Sequence, residues 1–330
     1  MRTFLGGVIA ALTMAATPVL ADYPEREIQG IIQWGAGGST DVVSRAVTPH
    51  AEEVLGQRVI MQNVTGGVGA IGLNQAERAA ADGYTLLFGA ENPLLYKVMG
   101  LGQKDYSDFI PINVLARGVP IIVTRPDAPF DTFPELIAYI EENPGELRFG
   151  STGPGGLPSV VTAMINEKTP IDVTAVPYDG DGPALTALQG GAVDVMPAVL
   201  GAAIEAIRAG NLKPIAIFDE ERVPQLPDTP AITETNPEFA DLLPWGPFFG
   251  IFVKQGTPDD VVAKLTEAFQ AGAQNPDFLA LMDGRGFRML SLSGAEAQDF
   301  LDTWQRQTAW ILHDAEIAKN SPEEFGIERP

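Results

Sequence analysis

Short apolar runs recur along this 330-residue chain, each ending in a glycine- or polar-rich loop that opens onto helically spaced apolar residues. No other feature narrows the fold as much. A strand that stops in a loop before a helix is the repeating unit of a layered α/β sheet. Ile28 to Gln33 runs into Gly35-Ala36-Gly37-Gly38-Ser39-Thr40-Asp41, after which Val42, Val43, Ala46, Val47, Ala51, Val54 and Leu55 keep helical spacing. Pro49 within that helix predicts a kink. Val59 to Gln62 leads into Thr65-Gly66-Gly67-Val68-Gly69, and Tyr84 to Gly89 into Ala90-Glu91-Asn92-Pro93.

The pattern repeats in the middle of the chain. Ile121 to Thr124 reads as a strand, and Phe133 to Asn143 as a helix capped by Asp131 or Thr132. Arg148 to Gly150 precedes the loop 151–159, and Ile171 to Val176 precedes Pro177-Tyr178-Asp179-Gly180-Asp181-Gly182-Pro183. Val193 to Met196 and Pro214 to Phe218 read as further strands. Phe248 to Val253 is an apolar strand suited to crossing back to the first half. Thr257-Pro258-Asp259-Asp260 starts a helix, and Ser293-x-x-Glu296 is a capping box for another. The expected organisation is two α/β domains, 22–124 plus 248–330 and 125–247. A ligand would sit at the carboxyl ends of the strands, in the cleft between them.

Composition removes several functional classes. Asp and Glu number 43 against 21 Lys and Arg, for a formal charge of −22. Such a surface repels phosphate backbones, so no nucleic acid is expected as a partner. The chain has no cysteine and two histidines, His50 and His313, which leaves disulfides, thiolate metal sites and Ser-His or Cys-His catalysis poorly supplied. Residues 1–21 carry Arg2, an uncharged stretch from Phe4 to Leu20, and small residues around Val19-Leu20-Ala21. They read as a secretory signal peptide cleaved after Ala21, which places the mature chain in a periplasm.

Individual motifs are weaker than the pattern. Gly35 to Thr40 lacks the lysine of a phosphate loop. Gly67-x-Gly69-x-x-Gly72 matches a dinucleotide fingerprint, with Glu91 in the position of its acidic partner, but a tight turn explains it as well. Asp179-x-Asp181 suggests calcium, yet Pro183 stands where a further oxygen is needed. Trp34, at a strand end, is either core or cleft. A secreted α/β hydrolase would need a nucleophile elbow, Gly-x-Ser-x-Gly, which is absent.

Taken in order, several runs make the chain resemble the substrate-binding proteins of tripartite tricarboxylate transporters, the TctC or Bug family. They are Tyr23-Pro24, the 35–41 loop, Gly66 to Gly72, Ala81 to Leu87, Gly150 to Gly153, Val176 to Tyr178 and Pro183 to Met196. The resemblance implies a type II periplasmic binding fold, two α/β lobes closing on a small organic carboxylate. It implies a monomer that docks transiently with integral-membrane transporter subunits, with no enzymatic activity, cofactor or metal. A ligand-presenting sensor for a signalling receptor would share this fold.

The family pattern maps the site onto Trp34, Gly35, Ala36, Gly37, Gly38, Ser39, Thr40 and Asp41, with Ala70 nearby and Ala90, Glu91 and Asn92 from the third strand's loop. Thr152, Gly153, Pro154, Tyr178, Asp179 and Gly180 would complete it, over a floor of Asp194 and Met196. Two departures stand out. Gln33-Trp34-Gly35-Ala36 replaces the commoner Pro-Phe-Pro-Pro, and Asp179 puts a carboxylate where a second ligand carboxylate would be disfavoured. A glycine loop entering a helix aims free N–H groups at an anion, with Ser39, Thr40 or Asp41 available as cap. Attraction for an anion would then be local rather than global.

Overall fold

The computed structural model describes residues 23–330, so the signal-peptide reading of residues 1–21 falls outside the described residues. The first segment holds β1 (Ile28–Ile32), α1 (Ser39–Leu55), β2 (Val59–Asn63), α2 (Ala70–Arg78), β3 (Thr85–Ala90), the short α3 (Tyr96–Met99) and β4 (Phe109–Arg117). The middle holds β5 (Pro120–Thr124), α4 (Phe133–Glu142), β6 (Arg148–Ser151), α5 (Leu157–Lys168), β7 (Thr174–Pro177), α6 (Asp181–Gln189), β8 (Val195–Val199), α7 (Leu200–Arg208), β9 (Lys213–Ile217) and α8 (Ile232–Thr235). The last segment holds β10 (Phe248–Lys254), α9 (Asp259–Ala273), α10 (Pro276–Gly284), β11 (Arg288–Leu292) and α11 (Gly294–Asp314).

Two sheets result. The first has the order β11-β4-β10-β3-β1-β2 and the second β7-β6-β8-β5-β9. β1 runs parallel to β2 and β3, and β6 parallel to β7 and β8. β10 lies antiparallel between β3 and β4, and β5 antiparallel between β8 and β9. Both sheets are therefore mixed, because a chain that visits a second lobe and returns must enter the first sheet from the opposite direction. The inner strands β3, β5, β8 and β10 are buried almost throughout, as strands covered on both faces must be.

The crossings between lobes are short and tied to each other. Gly118 N–H, between β4 and β5, donates to the Pro247 carbonyl at 2.8 Å. Arg117 donates to the Trp245 carbonyl at 2.8 Å and to Asp219 at 3.1 Å. Helix α11 spans the junction, packing against β4 of one sheet and α5 of the other.

Local departures from the sequence reading have local causes. β4 and β11 gave no clear signal. β4 contains Pro111 and a buried Asn113, and β11 is a five-residue edge strand. The run from Ile171 becomes a strand only at Thr174. Thr132, not Asp131, caps α4, in a reciprocal box with Glu135. Helix α1 continues through Pro49. The box expected at Ser293 is not made: its hydroxyl accepts instead from the Gln270 amide at 2.6 Å.

Candidate functional site

The loops at the carboxyl ends of β1, β3, β6, β7 and β8 meet between the lobes around a small cavity of about 30 Å³. That is room for two or three waters, at roughly 10–15 Å³ each. Trp34, Gly38, Ser39, Thr40, Ala90, Glu91, Asn92, Thr152 and Gly180 line it, together with Leu157, Asp181, Val199, Pro247 and Phe249. Thr152 also borders an open groove shared with Gly67, Val68, Gly153, Pro154, Tyr178 and Asp179.

The 35–41 loop does not present a row of free N–H groups. Gly35 N–H donates across the cleft to the Asp179 carbonyl at 2.8 Å, and Gly38 N–H to the Gly35 carbonyl at 3.4 Å. Gly37 N–H is taken at 3.0 Å by Asp41, whose carboxylate also accepts from Arg45 and Asn63 at 2.7 and 2.9 Å. Burial would raise the Asp41 pKa, but those hydrogen bonds outweigh it and hold it below the usual range. The α1 cap is Gly38 itself, with no side-chain bond, so none of Ser39, Thr40 and Asp41 caps that helix as expected.

Two carboxylates bridge the lobes in reciprocal fashion. Glu91, after β3, accepts from Leu157 N–H in the first turn of α5 at 3.2 Å. Asp181, opening α6, accepts from the Ser39 hydroxyl in the first turn of α1 at 2.9 Å, and from Ser39 N–H. Each lobe thus places an acid at a helix N-terminus of the other, where the macrodipole favours negative charge. Burial nevertheless dominates both groups. It pushes Glu91 up to about 8, opposed by the backbone N–H groups of Glu91 and Leu157 and reinforced by the charge of Asp181. It pushes Asp181 up to about 6 against the Ser39 bonds.

Two donors beside them have no acceptor. Trp34 Nε1 and Asn92 Nδ2 are without a hydrogen-bond partner, in residues only 6% and 2% exposed. A buried donor left unmade costs roughly 1–3 kcal/mol, so each of these two side chains at the cavity calls for an acceptor that a water or a ligand atom would supply.

The remaining sequence candidates fall elsewhere. Ala36 lies behind the cavity, with its carbonyl against Gly182, and Ala70 opens α2 behind the Gly67 turn. Asp194 and Met196 do not form a floor. Asp194 sits at the far end of β8, accepting from Arg148 Nε and Nη2 at 2.9 and 2.8 Å, and Met196 is fully buried against Gly150. Along an alternating strand, the residues that reach the cleft are those at its carboxyl end, and there Val199 takes the place. Asp181, read from sequence only as half of a calcium motif, turns to Ser39, and among the described residues no group of three or more His, Cys, Asp or Glu could hold a metal ion. Phe249 and Pro247 had no sequence signal, since only the return crossing brings them here. Gln33 is not a cleft wall but an internal brace, donating to the Gly69 carbonyl at 3.0 Å and accepting from Tyr106 at 3.1 Å. Gly67 and Gly69 have φ of 60° and 85°, the tight turn that explains the apparent dinucleotide motif.

Known proteins are similar to this chain along most of its length. The family described as tripartite tricarboxylate transporter family receptor matches residues 43–315. Protein BugT of Bordetella pertussis is 34% identical over 288 residues, covering 83% of this chain and 86% of BugT. The structure of the periplasmic binding protein BugD superposes with a TM-score of 0.85 at 29% identity, covering 90% of this chain and 100% of that one. Rpa4515 of R. palustris, solved with adipate, superposes at 0.84 with 25% identity, covering 90% and 99%.

Proposed function

This chain belongs to the tripartite tricarboxylate transporter receptor family, a family of periplasmic solute-binding proteins rather than enzymes, and from that premise we propose that it captures a small organic carboxylate between its lobes. Delivery to the membrane subunits of a tripartite transporter, and export by cleavage after Ala21, belong to the same reading. The observation that carries it is the pair of buried donors, Trp34 Nε1 and Asn92 Nδ2, unpartnered at one interlobe cavity. A ligand carboxylate supplies the acceptors they lack. The adipate in Rpa4515 supports the ligand class, as a relative of the same fold.

The geometry supports a closing motion as part of this reading. The cavity draws its lining from both lobes, so a ligand completes its contacts only when the lobes are together, and binding shifts the population towards that state. A space of about 30 Å³ also means that any ligand larger than a few atoms enters by separation of the lobes.

The test is a thermal-shift panel of mono-, di- and tricarboxylates, aromatic acids and amino acids, followed by calorimetry and small-angle scattering. At least one carboxylate should bind at micromolar or better affinity and reduce the radius of gyration of the ligand-free protein. Binding of uncharged sugars alone, or of none of the carboxylates, would overturn the reading.

A further inference from the structure

The cavity combines groups that no simple anion pocket needs. Its lining contains two carboxylates, Glu91 and Asp181, and no lysine, arginine or histidine. Beside them stand the two unpartnered donors of Trp34 and Asn92. The groups around the acids do not supply the missing positive charge. Glu91 faces Asp181 from α6 and the phenols of Tyr96 and Tyr106, both pushed up by burial and so neutral. Asp181 faces Ser39 and the N-terminus of α1. Arg45, one turn further along α1, is held by Asp41 and Asn63, and Lys97 pairs with Asp105.

We infer that the ligand is a zwitterion, an amino-bearing carboxylate whose ammonium group is drawn by Glu91 and Asp181 while its carboxylate takes the donors of Trp34 and Asn92. This rests on the carboxylate-binding reading above and narrows it. A second full negative charge in the ligand would meet the Asp181 carboxylate, with the Glu91 carboxyl beside it and no cation to separate them, which is repulsive in a space that holds few waters. An ammonium reverses the sign of that interaction. The arrangement also explains why loop N–H groups, free in the sequence reading, are spent within the chain: Gly37 N–H goes to the Asp41 carboxylate, Ser39 N–H to the Asp181 carboxylate and Gly35 N–H to the Asp179 main-chain carbonyl, so the chain supplies its own anions and the ligand supplies the cation.

The charge balance makes a measurable claim. Glu91, at about 8, carries a proton in the ligand-free protein at pH 7. An incoming ammonium stabilises the carboxylate, so the proton leaves for the buffer as the ligand binds. A ligand whose extra group is anionic does the opposite and draws a proton onto Asp181, poised at about 6.

Titration calorimetry of the purified protein at pH 7, in two buffers of different ionisation enthalpy, reads both affinity and proton count. The probes are matched pairs in which ammonium is added to an acid or replaces one of its carboxylates: succinate with aspartate, glutarate with glutamate, butyrate with 4-aminobutyrate, adipate with 5-aminopentanoate. The amino-bearing member should bind at least about tenfold more tightly in the best pair, with release of about one proton. Glu91→Gln and Asp181→Asn should each reduce that preference and the proton release. An anionic member binding as tightly, or with proton uptake, overturns the zwitterion and leaves carboxylate binding intact. A preference without proton release, unmoved by either variant, overturns the role of the two acids. Binding of no member overturns the carboxylate reading itself. Proton counting on the unmodified protein decides the matter even where a variant fails to fold.

Discussion

The two ends of the second lobe's sheet treat the same functional group in opposite ways. At the far end of β8, Asp194 accepts from the Arg148 guanidinium and from Arg148 N–H, and those bonds hold it below the usual carboxylate range despite partial burial. At the cleft end, Asp181, and Glu91 facing it from the first lobe, meet only hydroxyl and backbone N–H donors, and burial pushes them up to about 6 and about 8. A guanidinium cancels charge, whereas a peptide N–H offers a partial dipole that offsets only part of the desolvation cost. The far end is finished without help. The cleft end holds two acids without a counter-charge and two donors without an acceptor, and it is where the lobes meet. That incomplete balance of charge and hydrogen bonds is what the proposed ligand would complete.

The largest perturbation of this contrast comes from forcing the lobes apart. Gly182, in the first turn of α6, packs so closely on the 36–38 backbone that a Cβ would overlap the Ala36 carbonyl and stand 2.9 Å from Gly38 N. Gly182→Val should therefore oppose closure while leaving each sheet intact. We expect at least a hundredfold loss of affinity for the best ligand, about 2.7 kcal/mol, and no ligand-induced fall in radius of gyration. Unchanged binding by calorimetry would show that the closed cleft is not the binding state.

Trp34→Phe tests the donors more gently. It keeps an aromatic wall and deletes the unpartnered N–H, so affinity should fall about tenfold, as expected for one hydrogen bond to a charged group. Ligand-free stability should change little, because a smaller ring leaves a void while removal of the orphan donor relieves a penalty. An equal affinity would exclude Nε1 from ligand contact.

The raised acid predicts an inverted pH response. Between its ordinary 4.5 and about 8, Glu91 binds more protons in the folded than in the unfolded chain. Its contribution to stability is thus complete below pH 4.5 and is lost as pH rises through about 8. Glu91→Gln should remove that decline, so the melting temperature of the variant relative to the parent should climb from pH 5 to pH 8 without ligand. A constant difference would mean that Glu91 titrates normally.

Asp194 should show the reverse sign and the smallest effect. Its depressed pKa contributes stability above the ordinary 3.8 that is lost as pH falls through the folded value. Asp194→Asn should cost about 1 kcal/mol at pH 7, with the gap closing in acid, and change ligand affinity less than twofold. A large affinity loss would return Asp194 to the site.

The recurring strand-loop-helix pattern made most of the architecture legible from residues alone. Hydrophobic periodicity and glycine placement are local, and they decide which segments become strands and where the chain turns. The glycine loop of 35–41, the loop at 90–92 and the turn at 178–180 were therefore placed at strand ends correctly, as was the strand that returns at Phe248. Which of their groups are free was only partly a local matter. Gly37 N–H is lost to an aspartate four residues away, Gly35 N–H to a carbonyl in the other lobe, and Asp181 gains its partner from a helix 142 residues distant in sequence. Asp194 looked like a floor and proved to lie at the wrong end of its strand, because a strand's direction in the sheet is settled by its neighbours. The sequence by itself determined the elements, the loops and their chemistry. The tertiary structure alone decided which charges are paired, since burial and long-range contact set the free energy of an ion and neither is written in its immediate neighbours.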